Sequence, residues 1–404
     1  MSKKDTGIIR LSDGTYAYRF AISIDGRTIT KRKTVDENGK LLLTKAQAIK
    51  AREAAIIQAH IEQKKTHKVI KKTVEEVYKE YREVGCTGKA YGTLKKQDSL
   101  WNNHIQSKFG KRFINDISPA EVNDYLAQLY YNDGLAYKYV EGFLKMFYLI
   151  FGQAYSRDYM EVDVYNKLCK NDSTKIKMPK MMVDDDSGEI ITFTKDELAQ
   201  LDEYFKHRMS ETAYFLGRYC GLRINEAYGL KWDHIDFERG TILIDRQMQY
   251  QDGIIKLVPV KTKNGVRTIY MCQKLKDHLE QKYKERNEEI KKHIALIEQR
   301  QKFIEDLDGT KISSIELVNC LYDGTIQTVN SMKFHSREIK SKLGINFKYH
   351  YLRHTYGTMM AEMNTPEYLL CSQMGHGNLR VTHLYYIAVT ERGADILKQN
   401  LNQL

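Results

Sequence analysis

Hydrophobic and polar positions alternate with a period of two at the start of the chain and take on a helical period after residue 72. Gly7–Leu11, Tyr16–Ile24 and Arg27–Thr34 read as three short strands. The second is rich in aromatic and branched side chains, the third alternates basic side chains with Thr and Ile, and the three are divided by Asp13-Gly14 and Asp25-Gly26, dipeptides suited to tight turns. Arg27, Lys31 and Lys33 fall on one face of the third strand. Thr44 can cap a helix running to about Lys64, so residues 1–66 predict a three-stranded sheet backed by one helix. Beyond the basic stretch His67–Lys72, Thr73 and Glu76 form a capping box, and Val74, Val77, Tyr78 and Tyr81 make a helical stripe. Further helices are expected over Ala90–Phe109, Ser118–Tyr131 (with Pro119 at its first position) and Leu135–Arg157. Leu126, Leu129, Tyr130, Phe143, Met146, Phe147, Ile150 and Phe151 read as core. Residues 67–172 thus predict a compact helical domain, and Asn171–Glu189, with its acidic Asp184–Asp186, reads as a linker.

The remainder, residues 173–404, predicts a mainly helical domain with a small β-sheet. Thr194 and Glu197 form a second capping box ahead of a helix over Lys195–Lys206. A buried helix over Thr212–Cys220 stops at Gly221. Strands follow at Thr241–Ile244, Ile254–Val260 and Val266–Met271, the last pair joined by a turn at Asn264-Gly265. Gln273–Leu307 reads as one long charged helix whose narrow seam is Leu279, Tyr283, Ile290, Ile294, Ile297 and Ile304, an arm or a partner-packing element. A helix over Thr328–Lys342 leads into His350-Tyr-Leu-Arg-His-Thr355. The whole is an α+β multidomain chain.

The 404 residues carry a formal net charge of +12, an excess that points to a polyanionic partner. Lys95, Lys96, Lys108, Lys111 and Arg112 could track a phosphate backbone. The 6 cysteines are scattered with no C-x-x-C pair, as in reduced cytosolic proteins. The start, Met1-Ser-Lys-Lys-Asp5, holds no apolar signal segment, and no run approaches a membrane span, so a cytoplasmic protein is expected. Neither a Walker loop nor a dinucleotide fingerprint is present, which argues against nucleotide-driven chemistry.

The candidate chemistry lies in four separated segments. His350 and Arg353, at i and i+3 of a helix start, can face one anion. Arginine offers a planar fork matched to phosphate oxygens, and histidine moves protons near neutral pH. His354 could suggest a metal pair with His350, but no third ligand is apparent, so no metal is assigned. Arg223 lies in Gly221-Leu-Arg-Ile-Asn-Glu226, and a lysine-bearing hairpin follows at Pro259-Val-Lys-Thr-Lys-Asn-Gly-Val-Arg-Thr-Ile269. Last comes Met374-Gly-His376, followed by Tyr385 and Tyr386.

This order closely resembles the tyrosine recombinase (phage integrase) family, and within it the three-domain integrases of phages and conjugative transposons. The resemblance implies a site-specific DNA recombinase with the integrase or excisionase activity of a mobile element. Such an enzyme cuts one strand, holds it through a 3′-phosphotyrosine, frees a 5′-hydroxyl, and uses neither metal nor ATP. It implies an arm-site DNA-binding domain at 1–66, a SAM-like core-binding domain at 67–172 and a catalytic domain at 173–404. Arg223 and Arg353 would clamp the phosphate, with Glu226 as supporting acid. His350 would assist proton transfer, and His376 would donate a hydrogen bond to the phosphate. Lys263, which abuts the Asn264-Gly265 turn, is preferred over Lys261 as the general acid for the leaving oxygen. Relatives carry Tyr-x-His at the nucleophile. Tyr386, with Ala388 two residues on, is preferred over Tyr385, with Ile387. A basic strand bearing Arg27, Lys31 and Lys33 can enter a major groove, and Lys95 and Lys96 can contact the duplex at the core site. Partners implied are double-stranded DNA at core and arm sites, other copies of the chain in a tetramer on two duplexes, and an accessory directionality or DNA-bending protein. A bacterial, nucleoid-associated location is implied as well. In the tail, Thr390-Glu391 would start a helix with Ala394, Ile396, Leu397 and Leu401 as an apolar stripe for a neighbouring protomer. A type IB topoisomerase and a non-catalytic DNA-binding regulator are the rival readings.

Overall fold

A computed structural model describes residues 7–24, 27–66, 69–182 and 190–392. The chain separates into two compact units, Met1–Asp186 and Ser187–Leu404. The Asp25-Gly26 turn, the acidic run Asp184–Asp186 and the tail stripe from Ala394 lie outside the described residues. No helix among the described residues is long and apolar enough to cross a membrane.

The first unit opens with β1 (Ile8–Arg10), β2 (Tyr16–Ile24) and β3 (Arg27–Lys33), an antiparallel sheet in that order, followed by α1 (Lys45–Thr66). Tyr18 and Phe20 pack with Leu42, Ala48 and Ala51 in the core under α1. Register then decides which basic residues face away. Lys31 pairs with Phe20 and Lys33 with Tyr18, so these lysines lie on the helix-covered side, exposed at its edge. Directly opposed residues share a face, and a shift of one position reverses it. The open face instead carries Arg19 opposite Arg32. The side chain of Arg27 lies outside the described residues.

The helical portion comprises α2 (Val74–Glu80), α3 (Tyr91–Leu100), α4 (Gln106–Phe109), α5 (Pro119–Ala127), α6 (Tyr137–Ser156) and α7 (Val162–Tyr165). The capping box at Thr73 and Glu76 is formed, and Ser118 caps α5 through the Glu121 amide. A wider π-helical turn over Trp101–Ile105 joins α3 to α4. Phe109, Phe143, Phe147 and Ile150 fill the core. Lys95 and Lys96 are exposed on α3, with Lys95 Nζ 5.4 Å from the Tyr91 ring, whereas Arg112 is occupied by Glu121. The expected linker begins as part of this packing. Ile176 is fully buried in the helical core, and the Tyr148 hydroxyl donates to the Ile176 carbonyl at 2.7 Å.

The second unit contains α8 (Lys195–Phe205), α9 (Glu211–Cys220) and α10 (Ile224–Gly229), then β4 (Ile235–Asp236), β5 (Thr241–Ile244), β6 (Arg246–Gln251), β7 (Ile254–Pro259) and β8 (Arg267–Tyr270). It continues with α11 (Gln273–Lys292), α12 (Ile294–Arg300), β9 (Phe303–Glu305), β10 (Lys311–Ser313), α13 (Asn330–Leu343), α14 (Tyr349–Glu362), α15 (Glu367–Met374) and α16 (Leu379–Arg392). The strands form two small sheets, β4-β5-β8 and β10-β9-β7-β6, with β7 and β9 parallel.

The single long helix expected over Gln273–Leu307 is corrected. It stops at His293, and Phe303–Glu305 is a strand. The reason is burial of specific partners: Ile304 is in the core, and Asp306 takes Arg246 and Lys231. Nor does α11 stand free, since Leu275 and Leu279 are fully buried in the same core. Thr390 and Glu391 fall inside α16 and start no new helix.

The centre of the unit is the crossing of α9 and α14. A Cβ on Gly217 would lie 2.8 Å from the Tyr349 ring, so this glycine lets the helices approach. The Tyr349 hydroxyl donates to the Ala213 carbonyl at 2.8 Å, and the Phe193 amide ties the start of the unit to Thr355 at 2.9 Å.

Ile176→Ala should destabilise the helical portion by about 2–4 kcal/mol, since a buried aliphatic side chain leaves a cavity. Urea unfolding followed through Trp101, in a chain whose Trp232 is replaced by Phe, checks this. An unchanged midpoint would mean that the segment adds nothing to that core.

Candidate active site

Arg223 stands at the N-terminal edge of α10, two residues after Gly221, which ends α9 in a left-handed turn (φ +61°). A Cβ at Gly221 would sit 2.6 Å from the Tyr356 ring, so conformation and packing both require glycine. Glu226 reaches back to this start: its Oε2 accepts the Arg223 amide at 3.0 Å, and its Oε1 accepts Arg223 Nη1 at 2.7 Å. Glu226 is only 3% exposed. Burial pushes its carboxyl upward, but Arg267 and Arg223 outweigh that and hold it at about 2.

His350 and Arg353 share α14 but differ in surroundings. Arg353 is 1% exposed, and its Nη1 donates to the Gly221 carbonyl at 2.7 Å. Burial, then the neighbouring Arg223, brings its guanidinium down to about 9, so it remains a cation at pH 7. His350 lies at the exposed edge of the helix, its ring 4.5 Å from that of His354. Partial desolvation, then His354, Arg353 and Arg223, hold its imidazole at about 4, and it is neutral at pH 7.

The end of α15 draws these groups together. The last carbonyls of a helix have no partner within it and carry partial negative charge. Here four consecutive carbonyls accept side-chain donors. Gln373 takes Arg267 Nε at 3.0 Å, Met374 takes Arg353 Nη2 at 2.5 Å and Gly375 takes Arg223 Nη2 at 3.2 Å. His376 takes Asn264 Nδ2 at a long 3.5 Å. Gly375, at φ +65°, packs its backbone on the Arg267 side chain, and a Cβ there would lie 2.8 Å from it.

The turn also sets His376. Its Nδ1 is 2.8 Å from Thr382 Oγ1. Burial, then Arg353 and Arg223, lower its pKa to about 3, so this ring too is neutral. It lies nearly parallel to Tyr385, at 6.0 Å between centroids and 13° between planes.

The two adjacent tyrosines are separated by this geometry. Tyr385 is 4% exposed and packs on Gly357, where a Cβ would come within 3.1 Å of the ring. Burial raises its phenol pKa, while Arg353 and Arg223 pull it down. Tyr386, the expected nucleophile, donates its hydroxyl to the Thr365 carbonyl, and its pKa is raised by burial and by Glu367. Successive side chains on a helix point about 100° apart, so only one of the pair can face the arginines. The two hairpin lysines also differ in surroundings. A cleft of about 360 Å³ is lined by Arg223, Glu226, Gln247, Lys261, Tyr349 and His350. Lys261 follows the end of β7, whereas Lys263 is carried into a tight turn over Lys263–Gly265 and does not line the cleft.

Residues 192–392 match the phage integrase family, and residues 73–130 match the phage integrase N-terminal SAM-like domain. The chain belongs to the phage integrase family. It is a tyrosine recombinase, an enzyme of site-specific DNA recombination. It is 27% identical over 330 residues to a XerC-like tyrosine recombinase of Caldanaerobacter subterraneus subsp. tengcongensis, covering 77% of this chain and 78% of that one. Its fold is similar to the Tn1549 transposon integrase in complex with a circular intermediate DNA, at 20% identity and TM-score 0.61, covering 79% of this chain and 99% of that one. It is also similar to a lambda integrase tetramer bound to a Holliday junction, at 14% identity and TM-score 0.52, covering 95% and 96%.

In this recombinase, Arg267 and Thr382 are site neighbours that the sequence reading missed. Arg267 carried a readable signal. Arg267 and Ile269 alternate with exposed residues on the inward face of β8, and a charged residue at an inward position needs a buried partner. Thr382, fully buried, carried none, because its role rests on the neighbouring helix turn.

Glu226→Gln should lower the unfolding midpoint at pH 7. The sign follows from the depressed carboxyl: its stabilisation is present above the ordinary value of 4.5 and is lost as pH falls toward about 2. The difference between the variant and the parental chain should therefore shrink across that window in thermal unfolding followed by circular dichroism. A pH-independent difference would mean that Glu226 acts through shape alone.

Proposed function

We propose that Tyr385 is the nucleophile of this recombinase. The observation that carries the reading is its parallel packing on His376, at the helix end whose carbonyls hold Arg223 and Arg353. The Tyr385 oxygen attacks a DNA phosphorus, the bond from phosphorus to the 5′-oxygen breaks, and the strand is held as a 3′-phosphotyrosine. Attack of a 5′-hydroxyl reverses the step and frees the tyrosine, so the phosphodiester energy is conserved in the covalent link.

Arg223 and Arg353 stabilise the charge that grows on the non-bridging oxygens, using donor geometry set before DNA arrives. His350 takes the phenolic proton. His376, oriented by Thr382, donates a hydrogen bond to the phosphate. Both imidazoles are neutral in the free protein, and a bound phosphate raises their basicity through its negative charge. Lys261, on the cleft wall beside Arg223 and His350, delivers the proton to the leaving 5′-oxygen. Glu226 holds Arg223 in place.

Around this centre we assign residues 1–66 to arm-site binding, with Arg19 and Arg32 on the uncovered sheet face as phosphate or groove contacts. The helical portion that follows binds the core site, with Lys95 and Lys96 against the backbone. The complex of the Tn1549 integrase with a circular intermediate DNA supports duplex DNA as the partner, and the lambda integrase tetramer on a Holliday junction supports a tetramer on two duplexes.

The test uses nicked suicide duplexes taken from the DNA flanking the chain's own gene, with the covalent adduct resolved on denaturing gels. Tyr385→Phe should abolish the adduct, while Tyr386→Phe keeps its rate within about threefold. Lys261→Ala should slow cleavage by about a hundredfold or more, the usual worth of a general acid, and Lys263→Ala only slightly. Adduct formation by Tyr385→Phe and its absence in Tyr386→Phe would reverse the assignment.

A further inference from the structure

Arg267 lies on β8 with its side chain 4% exposed, and its donors reach three separate segments of the site. Nη2 donates to Glu226 Oε2 at 2.9 Å, and Nη1 to Glu226 Oε1 at 3.2 Å, a two-pronged contact with the carboxylate that also holds Arg223. Nη1 donates to the Gly265 carbonyl at 2.9 Å, at the far end of the lysine hairpin. Nε donates to the Gln373 carbonyl at 3.0 Å, just before the turn that carries Gly375 and His376. A second clasp runs alongside, where Gln373 Nε2 donates to the Tyr270 carbonyl at 3.0 Å and the Tyr270 amide returns to Gln373 Oε1 at 3.2 Å. The backbone of Arg267 is itself fixed, because it pairs with Ile244 in the sheet.

We infer that Arg267 is a positioning residue for strand cleavage: through Glu226, Gly265 and Gln373 it sets the mutual placement of Arg223, the Lys261 hairpin and the His376 turn. This deepens the recombinase reading above and rests on its assignment of those groups. Arg267 touches no reacting atom in this role. Its planar fork serves carbonyl and carboxylate acceptors in three directions, which the single nitrogen of lysine cannot do. Its loss leaves a buried Glu226 with Arg223 as its remaining guanidinium, and the pair is then free to settle into the arrangement that best suits itself. Small displacements of a charge clamp cost rate far more than they cost binding, because the clamp is worth most at the transition state.

The experiment uses the full chain and the same nicked flanking duplexes, and measures single-turnover adduct formation together with the dissociation constant for DNA. Arg267→Gln should form the Tyr385 adduct at least about tenfold more slowly while its dissociation constant stays within about threefold. Because Arg267 and Arg223 share the Glu226 carboxylate, the losses of Arg267→Gln and Glu226→Gln should combine to clearly less than their product in the double variant, whereas independent roles would multiply them. Circular dichroism reports folding. If Arg267→Gln does not fold, Arg267→Lys carries the test with the same expected split between rate and affinity. Adduct formation within about twofold of the parental rate, a parallel loss of DNA affinity, or multiplied losses in the double variant would each overturn the inference. A parental chain that forms no Tyr385 adduct would instead bring down the assignment of the site, and this inference with it.

Discussion

Three guanidinium groups meet at one end of one helix, and the rest of the catalytic unit depends on making that tolerable. Like charges at contact range repel by several kcal/mol in a partly buried site, about 4 kcal/mol at 4 Å for an intermediate effective dielectric. The chain answers with one buried carboxylate, Glu226, shared by Arg223 and Arg267, and with the carbonyls of Gln373, Met374 and Gly375, one for each arginine. The carboxylate balances one positive charge. The carbonyls supply partial charge and direction without adding a second full anion. A net positive centre is left over.

This arrangement explains why the site is assembled from distant parts of the sequence. Gly221 brings the start of α10 under Tyr356, and Gly375 lets the α15 turn lie against Arg267. Each glycine removes a side chain where the backbone must approach an aromatic ring or a guanidinium. Gly357 does the same for Tyr385. The helix crossing at Gly217 places α14 so that Arg353 reaches the Gly221 carbonyl from one side and Met374 from the other. The positions that carry charge are thus held by positions that carry none. In the free protein each arginine is already engaged by a carbonyl at the end of α15.

The sheet unit at the start of the chain shows a different use of the same physics. A strand of alternating basic residues has two faces, and the helix behind the sheet claims one of them. Tyr18 and Phe20 face α1, so their cross-strand partners Lys33 and Lys31 share that side, and Arg19 and Arg32 are left on the other. Which basic residues stand on the face away from α1 is therefore a consequence of where the aromatic pair is buried.

Much was legible in the sequence alone because it is local. Capping boxes at Thr73 and Thr194, the Gly221 stop, the three-stranded start and the helical stripes of the core are each written within a few residues, and all are present in the structure. The order of Arg223, the lysine hairpin, His350, Arg353 and His376 can be read off the chain too, because each lies in a short segment. What the sequence could not decide was orientation. Tyr385 and Tyr386 are one residue apart, and only the packing of α16 lays one ring against Gly357 and His376 and turns the other hydroxyl to the Thr365 carbonyl. Lys261 and Lys263 differ only in how the hairpin turns over the cleft. The strand at Phe303–Glu305 looked helical because Ile304 continues the seam of Ile290, Ile294 and Ile297, while the Asp306 ion pairs beside it are made with distant residues. Spacing along a chain specifies which side chains share a local face. Which of them meet across 150 residues is decided by the burial of the surfaces between them, and that decision exists only in the folded structure.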